Sequence, residues 1–237
     1  MADAKDVSGT EISFWHSMGG VNGQAIDALV EKFNEENEYG ITVNAQYQGE
    51  YDDSLNKLKS AQIGNMGADL VQVYEIGTRF MIESGWITPM QNMVDADNYD
   101  LSQIEPNLAA YYTIDDELYS MPFNSSTPIM YYNKDMFEKA GITEIPDSLE
   151  AIEAVGDKLL SDGGAGEVMS LSIYGWFFEQ FMGKQGLEYA NNGNGREKAA
   201  TAVAFDENGG AKNILTAWKS LYDKGFAPNV GKGGDAG

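Results

Sequence analysis

Three short apolar runs, separated by two segments with helical spacing, constrain the fold of this chain more than any other feature. The runs are residues 10–15, 41–47 and 69–74, and the helical segments carry apolar side chains at Ile26, Leu29, Val30 and Phe33 and at Leu55, Leu58 and Ile63. Strands that alternate with helices in this way predict a mainly parallel sheet with helices on both faces. We therefore predict an α/β fold.

The ends of these three predicted strands carry the polar and aromatic residues of interest. Residues 15–17, 49–51 and 74–75 each follow one of the apolar runs and contain Trp, His, Tyr or Glu side chains. Ligands of parallel sheets bind outside the carboxyl ends of the strands. We therefore expect the three strand ends to meet at one binding crevice.

The charge of the chain argues against a nucleic-acid partner. It has 37 Asp and Glu against 15 Lys and Arg, for a formal net charge of -22. Affinity for nucleic acid comes largely from Lys and Arg that displace counterions from phosphates, and this chain would repel them. No apolar run approaches the roughly 18 residues of a membrane-spanning helix, so we expect a soluble chain.

The residue types of most catalytic centres are scarce. His16 is the only histidine and there is no cysteine, so thiol nucleophiles and cysteine zinc sites are excluded. A catalytic triad or a His-Glu-x-x-His metal site would need more than His16 provides. We therefore expect no catalytic residue, no metal site and no cofactor.

The second half of the chain predicts a second lobe. Beyond Trp86 the sequence is loop-rich, and residues 118–132 are predicted to be two extended segments that cross into this lobe around a proline-bracketed bend. Further predicted elements are helices at 134–140, 148–160, 176–182 and 211–224 and a strand at 168–174. We place the first α/β lobe at residues 1–122 and part of a second at 123–237, ending in a flexible glycine-rich tail.

Several stretches resemble a known family. They are Phe14-Trp15-His16-Ser17-Met18, Gln72-Val73-Tyr74-Glu75, and the block from Pro122 to Pro128 that is followed by Tyr131-Tyr132-Asn133-Lys134. The chain is similar to family 1 of the extracellular solute-binding proteins, which serve ABC importers. Within that family it looks most like the members that bind glycerol-3-phosphate. The similarity runs in order from about Ile12 to the end of the chain.

The resemblance implies a type II periplasmic-binding fold. In this fold two α/β lobes are joined by crossing segments, a small ligand is bound in the cleft, and the closed form is presented to a membrane permease. The resemblance also implies an extracellular or periplasmic location, a lipoprotein anchor in the native form and a monomer. Because each lobe needs on the order of 150 residues, we expect the chain to be truncated at its carboxyl terminus.

The resemblance also implies ligand contacts at Tyr51, Glu75, Ser126 and Trp176. Aromatic faces at Tyr51 and Trp176 suit a small polyol or a choline-like headgroup, and the Glu75 carboxylate can accept hydrogen bonds from two hydroxyls. Ser126 could donate to a phosphate oxygen. Ile173 stands where glycerol-3-phosphate receptors have a second tryptophan, and their phosphate-gripping residues belong to a later portion of the family's chain.

Each of these residues also has an ordinary structural explanation. Glu75 could be an exposed loop acid, and Tyr51 a surface aromatic at a helix start. Ser126 could satisfy the backbone of a bend, and Trp176 could belong to the core of an aromatic helix.

Three functions follow from these residues. The first is a receptor for glycerol-3-phosphate or a glycerophosphodiester. The second is a sugar or oligosaccharide receptor of the same family, because aromatic stacking and carboxylates also suit sugars. The third is a carbohydrate-active hydrolase in which Glu75 and a second acid such as Glu179 act across a scissile bond.

Overall fold

The computed structural model describes residues 7–64 and 66–231. The chain divides into two compact units, residues 1–124 and residues 125–237. The glycine-rich tail predicted to be flexible lies, from residue 232 onward, outside the described residues. Among the described helices, none combines the length and the apolar character needed to cross a membrane.

A parallel sheet organises the first unit. Its strands are β1 (Glu11–His16), β2 (Thr42–Tyr47) and β3 (Leu70–Val71), in the order β2-β1-β3. Trp15 on β1 pairs with Gln46 on one side and Val71 on the other. The predicted parallel sheet is confirmed, although β3 is shorter than the predicted strand at 69–74. Residues 72–74 have no regular structure, and a 3-10 helix, Glu75–Gly77, follows them.

Five helices and a hairpin complete the described part of the first unit. They are α1 (Gly20–Glu36), α2 (Tyr51–Ile63), α3 (Thr78–Ser84), α4 (Met90–Asp97), α5 (Pro106–Tyr112) and the hairpin of β4 (Thr113–Ile114) and β5 (Glu117–Leu118). The prediction of a loop-rich segment beyond Trp86 was therefore wrong. α4 buries Val94 and the hairpin buries Ile114 and Leu118, so these scattered apolar residues anchor short elements.

Local capping explains why two of these short elements form where they do. The Asp100 carboxylate accepts a hydrogen bond from the backbone N–H of Ser102 at 2.9 Å, which starts a 3-10 turn, Leu101–Gln103. Pro106 occupies the first turn of α5, where its missing N–H leaves no helix bond unmade. The segment predicted to be extended at 118–132 has no regular structure beyond Leu118.

The second unit is helical in its described part. Its elements are α6 (Lys134–Lys139), α7 (Leu149–Lys158), α8 (Gly175–Lys184), α9 (Asn191–Gly195) and α10 (Gly210–Asp223), with a π-helical turn, Leu159–Gly163, after α7. The five residues of α9 form a left-handed turn, since φ is positive from Asn192 to Asn194. Ser148 caps α7 by accepting a hydrogen bond from the N–H of Ala151 at 3.1 Å. The helices predicted at 134–140, 148–160, 176–182 and 211–224 are confirmed within a few residues.

The strand predicted at 168–174 does not form. The N–H groups of Val168 and Met169 both donate to the carbonyl of Phe226, and Ile173 donates to the carbonyl of Gly231 at 2.8 Å. These bonds are isolated, and no regular ladder joins the two segments. The described residues alongside it, 226–231, do not form a strand, so the apolar run packs on the helical core as an irregular segment.

The core of the second unit lies between α7 and α10. Leu149 and Ile152 of α7 pack with Leu221 of α10 and with Phe226 beyond it. A Cβ added at Gly156 would lie 2.3 Å from the Phe226 ring, so glycine is required where this ring crosses α7. An ion pair of 2.6 Å between Lys224 and Glu153 links the same two helices at the surface.

We predict that Leu221→Ala lowers the free energy of unfolding by about 2 to 5 kcal/mol, because Leu221 is fully buried and the neighbouring helices cannot close the cavity completely. Leu215→Ala is the matched control, since Leu215 lies on the same helix and is 56% exposed. It should change stability by no more than about 0.5 kcal/mol. Urea unfolding followed by circular dichroism measures both, and equal effects would contradict the assigned core.

Candidate ligand-binding site

The carboxyl ends of β1, β2 and β3 lie at one edge of the sheet of the first unit. His16 pairs with Tyr47 at the ends of β1 and β2, and the chain after Val71 continues past the same edge. The backbone N–H of Gln72 donates to the carbonyl of Trp15 at 2.8 Å, so the pairing extends beyond β3. The predicted convergence of the three strand ends is confirmed, and a binding crevice at this edge stays a prediction.

Two stacked tyrosines lie at this edge. The rings of Tyr51, the first residue of α2, and Tyr74, the residue before the 3-10 turn, have centroids 5.3 Å apart and an interplanar angle of 12°. The hydroxyl of Tyr74 donates a hydrogen bond of 2.7 Å to the Asp52 carboxylate. Tyr51 is partly buried, so it is a fixed aromatic surface and not a side chain that projects freely into water.

Glu75 begins the 3-10 turn directly after Tyr74 and is partly buried. Gly77 is buried at the end of this turn, and a Cβ there would lie 2.7 Å from the Val73 side chain. The turn can therefore fold back tightly against the strand it follows. As a result, Glu75 and Tyr51, which are 24 positions apart in sequence, belong to one tyrosine and carboxylate cluster.

Tyr112, at the carboxyl end of α5, is a member of this cluster that sequence reasoning missed. Burial raises the pKa of Tyr112 above its ordinary value, and the charges of Glu75 and Tyr51 raise it further. No sequence signal identified this residue, because Tyr111-Tyr112 stands in a segment that was predicted to be a loop. We define the first-unit cluster as Tyr51, Asp52, Tyr74, Glu75 and Tyr112.

Gln72 ties three segments together beneath this edge. Its side-chain oxygen accepts a hydrogen bond of 2.9 Å from the N–H of Ser17, and its amide nitrogen donates one of 2.6 Å to the side-chain oxygen of Asn124. Gln72 is buried, so its bond to Ser17 is shielded from water, whereas its bond to the exposed Asn124 is only partly buried. A polar residue inside the apolar run at 70–73 was the signal that could have identified it.

His16 is buried and serves the packing of the same edge. Its Nδ1 accepts a hydrogen bond of 3.3 Å from the N–H of Met18. The centroid of its ring lies 5.6 Å from the centroid of the Phe14 ring and 6.0 Å from that of the Tyr47 ring. Burial is the main cause that lowers the pKa of His16 below 6.5, and the negative charge of Asp27 acts in the opposite direction. The His16 imidazole therefore contributes to the packing of this edge, and the expectation that it has no catalytic role stays a prediction.

The other two predicted contact residues belong to the second unit. Ser126 is exposed in a segment without regular structure. Trp176, on α8, is partly buried, and its ring meets the Phe177 ring edge-on with centroids 5.7 Å apart. Ligand contact by Tyr51, Glu75, Ser126 and Trp176 thus stays a prediction. Of these four residues, only Tyr51 and Glu75 belong to the first-unit cluster.

The second unit also has an open cavity of about 850 Å³ that contains none of the predicted residues. Leu187, Asn191 and Val203 are among its lining residues. Its walls are held by asparagine side chains, as where Asn191 accepts a hydrogen bond of 3.0 Å from the N–H of Thr201. These hydrogen bonds join residues of the cavity walls to each other, so they explain the shape of the cavity without a ligand.

The first unit has aromatic faces and carboxylates at the carboxyl edge of a parallel sheet, and the chain has two compact units. Both features are typical of a protein that binds small solutes. The family model of the bacterial extracellular solute-binding proteins matches residues 28–235. The match covers most of the chain, which therefore belongs to this family. The family predicted from the sequence is confirmed.

One similar relative is the sn-glycerol-3-phosphate-binding periplasmic protein UgpB of Salmonella typhimurium. It is 36% identical over 239 residues, which cover 94% of this chain and 52% of the relative. The chain thus spans about half the length of this relative.

Two solved structures show the same fold. UgpB from Mycobacterium tuberculosis, in complex with glycerophosphocholine, superposes with a TM-score of 0.77 at 22% identity, over 94% of this chain and 58% of that one. The GacH receptor of Streptomyces glaucescens superposes with a TM-score of 0.72 at 19% identity, over 96% of this chain and 55% of that one. The predicted periplasmic-binding fold is thereby confirmed.

We predict that Gln72→Ala lowers the free energy of unfolding by about 1 to 3 kcal/mol, because the buried N–H of Ser17 loses its acceptor. Gln24→Ala is the control, since Gln24 is exposed on α1. Urea unfolding provides the comparison. If the Gln72→Ala and Gln24→Ala variants had the same free energy of unfolding, the hydrogen bonds of Gln72 would not contribute to stability.

We predict that Tyr112 titrates above its ordinary value of 10.0, and that Glu75→Gln lowers this pKa without restoring the ordinary value, because burial is the larger cause. A raised folded pKa means that unfolding releases a proton, so the stabilising contribution of Tyr112 is present below pH 10.0 and is lost as the pH rises through the folded pKa. Carbon-13 tyrosine NMR measures the titration. A Tyr112 pKa unchanged by Glu75→Gln would contradict the cluster.

Proposed function

We propose that this chain is the ligand-binding part of an ABC importer receptor for glycerol-3-phosphate or a glycerophosphodiester. The observation that carries the proposal is the stack of Tyr51 on Tyr74 beside Glu75, at the edge of the sheet where such proteins bind solutes. The identity of 36% to a glycerol-3-phosphate-binding protein supports the choice of ligand. Ligand binding, and no bond cleavage, is the activity.

The charges of the first-unit cluster determine which part of such a ligand it suits. Asp52 and Glu75 are carboxylates, and the chain has a net charge of -22, so a phosphate group is repelled from this position. A glycerol moiety offers hydroxyls to Glu75 and C–H groups to the face of Tyr51, and a quaternary ammonium is attracted to both residues. We therefore assign the polyol or cationic end of the ligand to the first-unit cluster.

Ser126 and Trp176 of the second unit complete the proposed set of contacts. The hydroxyl of Ser126 is exposed and can donate to a phosphate oxygen, and Trp176 offers an aromatic face from α8. Ligand contacts from both units would offset the free energy of a closing movement and shift the population toward a closed form.

A sugar receptor is the second candidate. The same aromatic and carboxylate cluster suits a sugar ring, and the structurally similar GacH receptor was solved with acarbose. A glycoside hydrolase would need Glu75 to act with a second carboxylate such as Glu179, which lies on α8 of the second unit. Product formation in the presence of an oligosaccharide would separate this hypothesis from both receptor functions.

The cellular setting of the receptor is also a proposal. We propose that it works with an ABC transporter permease, as a monomer, and that a lipid anchor holds the native form at the membrane surface. Membership of the extracellular solute-binding family supports the location and the permease partner. Sedimentation of the purified protein tests the monomer, and labelling with a radioactive fatty acid in bacteria tests the anchor.

The ligand test is an NMR titration of the tyrosine-labelled chain with glycerol-3-phosphate, glycerophosphocholine and maltotriose in turn. We predict that one of the two glycerol phosphates shifts the Tyr51 and Tyr74 signals at millimolar concentration or below. Glu75→Gln should weaken that binding at least tenfold, about 1.4 kcal/mol, because the carboxylate charge is lost.

Glu38→Gln is the control for the ligand test, since it makes the same charge change at an exposed loop position. Shifts with maltotriose alone would favour the sugar receptor. Tyrosine signals that respond to none of the three compounds, or an affinity that Glu75→Gln leaves unchanged, would overturn the proposed site.

A further inference from the structure

We propose that Asp52 is a positioning residue, which holds the two proposed ligand contacts of the first unit, Tyr51 and Glu75, in a fixed relation through Tyr74. This inference rests on the proposed function, because it concerns the geometry of the same cluster. Asp52 itself does not contact the ligand in this proposal.

The argument begins with two pairs of sequence neighbours. Tyr51 and Asp52 start α2, whereas Tyr74 and Glu75 lie at the turn after β3. The Tyr74 ring stacks on Tyr51 with centroids 5.3 Å apart, and the Tyr74 hydroxyl donates to Asp52 at 2.7 Å. Two consecutive residues of α2 therefore hold the same ring at two points.

These two contacts restrict different motions of the Tyr74 ring. Stacking alone allows the ring to slide across its neighbour, since offset arrangements of two aromatic rings are similar in energy. A hydrogen bond from the hydroxyl to a carboxylate fixes the far end of the ring and is stronger than a bond between neutral groups. Together they fix the ring, and with it the backbone of the residue that precedes Glu75.

The effect of Asp52 can be separated from the general effect of acids at a helix start. Asp52 and Asp53 both lie in the first turn of α2, where a negative charge stabilises the positive end of the helix dipole. Both carboxylates are exposed. Asp52 is the one that the Tyr74 hydroxyl reaches, so Asp53 is a matched control for charge and position.

The experiment compares Asp52→Ala, Asp52→Asn, Tyr74→Phe and the double variant Asp52→Ala with Tyr74→Phe, with Asp53→Ala as the control. The first readout needs no ligand. It is the ring signal of Tyr51 in the tyrosine-labelled chain, because the field of the stacked Tyr74 ring shifts this signal. The second readout is the affinity for glycerophosphocholine and glycerol-3-phosphate, and melting by circular dichroism verifies that every variant is folded.

We expect Asp52→Ala and Tyr74→Phe each to move the Tyr51 signal and to weaken ligand binding about fivefold, because each removes one partner of the same hydrogen bond. The double variant should weaken binding no further, since both changes break a single interaction. Asp52→Asn keeps an oxygen acceptor and should recover part of the affinity. Asp53→Ala should change neither readout.

Three results would contradict the inference in distinguishable ways. Equal effects of Asp52→Ala and Asp53→Ala on both readouts would reduce Asp52 to a helix-start acid. Additive losses of affinity in the double variant would show that the two groups act independently. In the third result, the Tyr51 signal moves as expected but the chain binds neither ligand. This result would overturn both the proposed function and the role of Asp52 in binding. The contact between the Tyr51 and Tyr74 rings would still be confirmed.

Discussion

The parallel pairing of β1 with β2 and β3 is the constraint on which the first unit depends. Because all three strands run in the same direction, their carboxyl ends lie at one edge, and the segments that follow them are brought together there. Ser17, Tyr51 and Gln72 are distant in sequence, yet each begins or follows a segment that leaves this edge. Tyr51, Asp52, Tyr74 and Glu75 therefore come together because the strands run in the same direction, whereas Tyr112 is brought to them by α5.

Polar bonds then give this edge its detailed shape. Gln72 joins the end of β1 to Asn124, the last residue of the first unit, through a buried amide. At the surface, Tyr74 joins the start of α2 to the turn after β3. A buried amide of this kind holds its neighbours because breaking one bond leaves a polar group without a partner away from water. The exposed bond acts with the stacked rings and is the weaker of the two.

The two units use different physical means to fix their candidate contacts. In the first, Tyr51 and Glu75 are held by a sheet edge, a ring stack and a tight turn at Gly77. In the second, Trp176 is carried by α8, and the unit's stability comes from apolar packing of α7 on α10. The negative charge of the first-unit cluster favours polyol or cationic groups over a phosphate group.

The sequence determined the alternation of strands and helices and the direction of the sheet, because these follow from local apolar spacing. Tyr51 and Glu75 were predicted from the resemblance to a family, and their contact with a ligand stays a prediction. It did not determine that residues 168–174 would lack a strand, since a strand forms only where a partner strand lies alongside. The tertiary structure alone assigned Tyr112 to the cluster, the amide of Gln72 to Ser17 and Asn124, and the Asp52 carboxylate to Tyr74. Each of these contacts joins residues from different elements, so its existence depends on distances in space that no local pattern encodes.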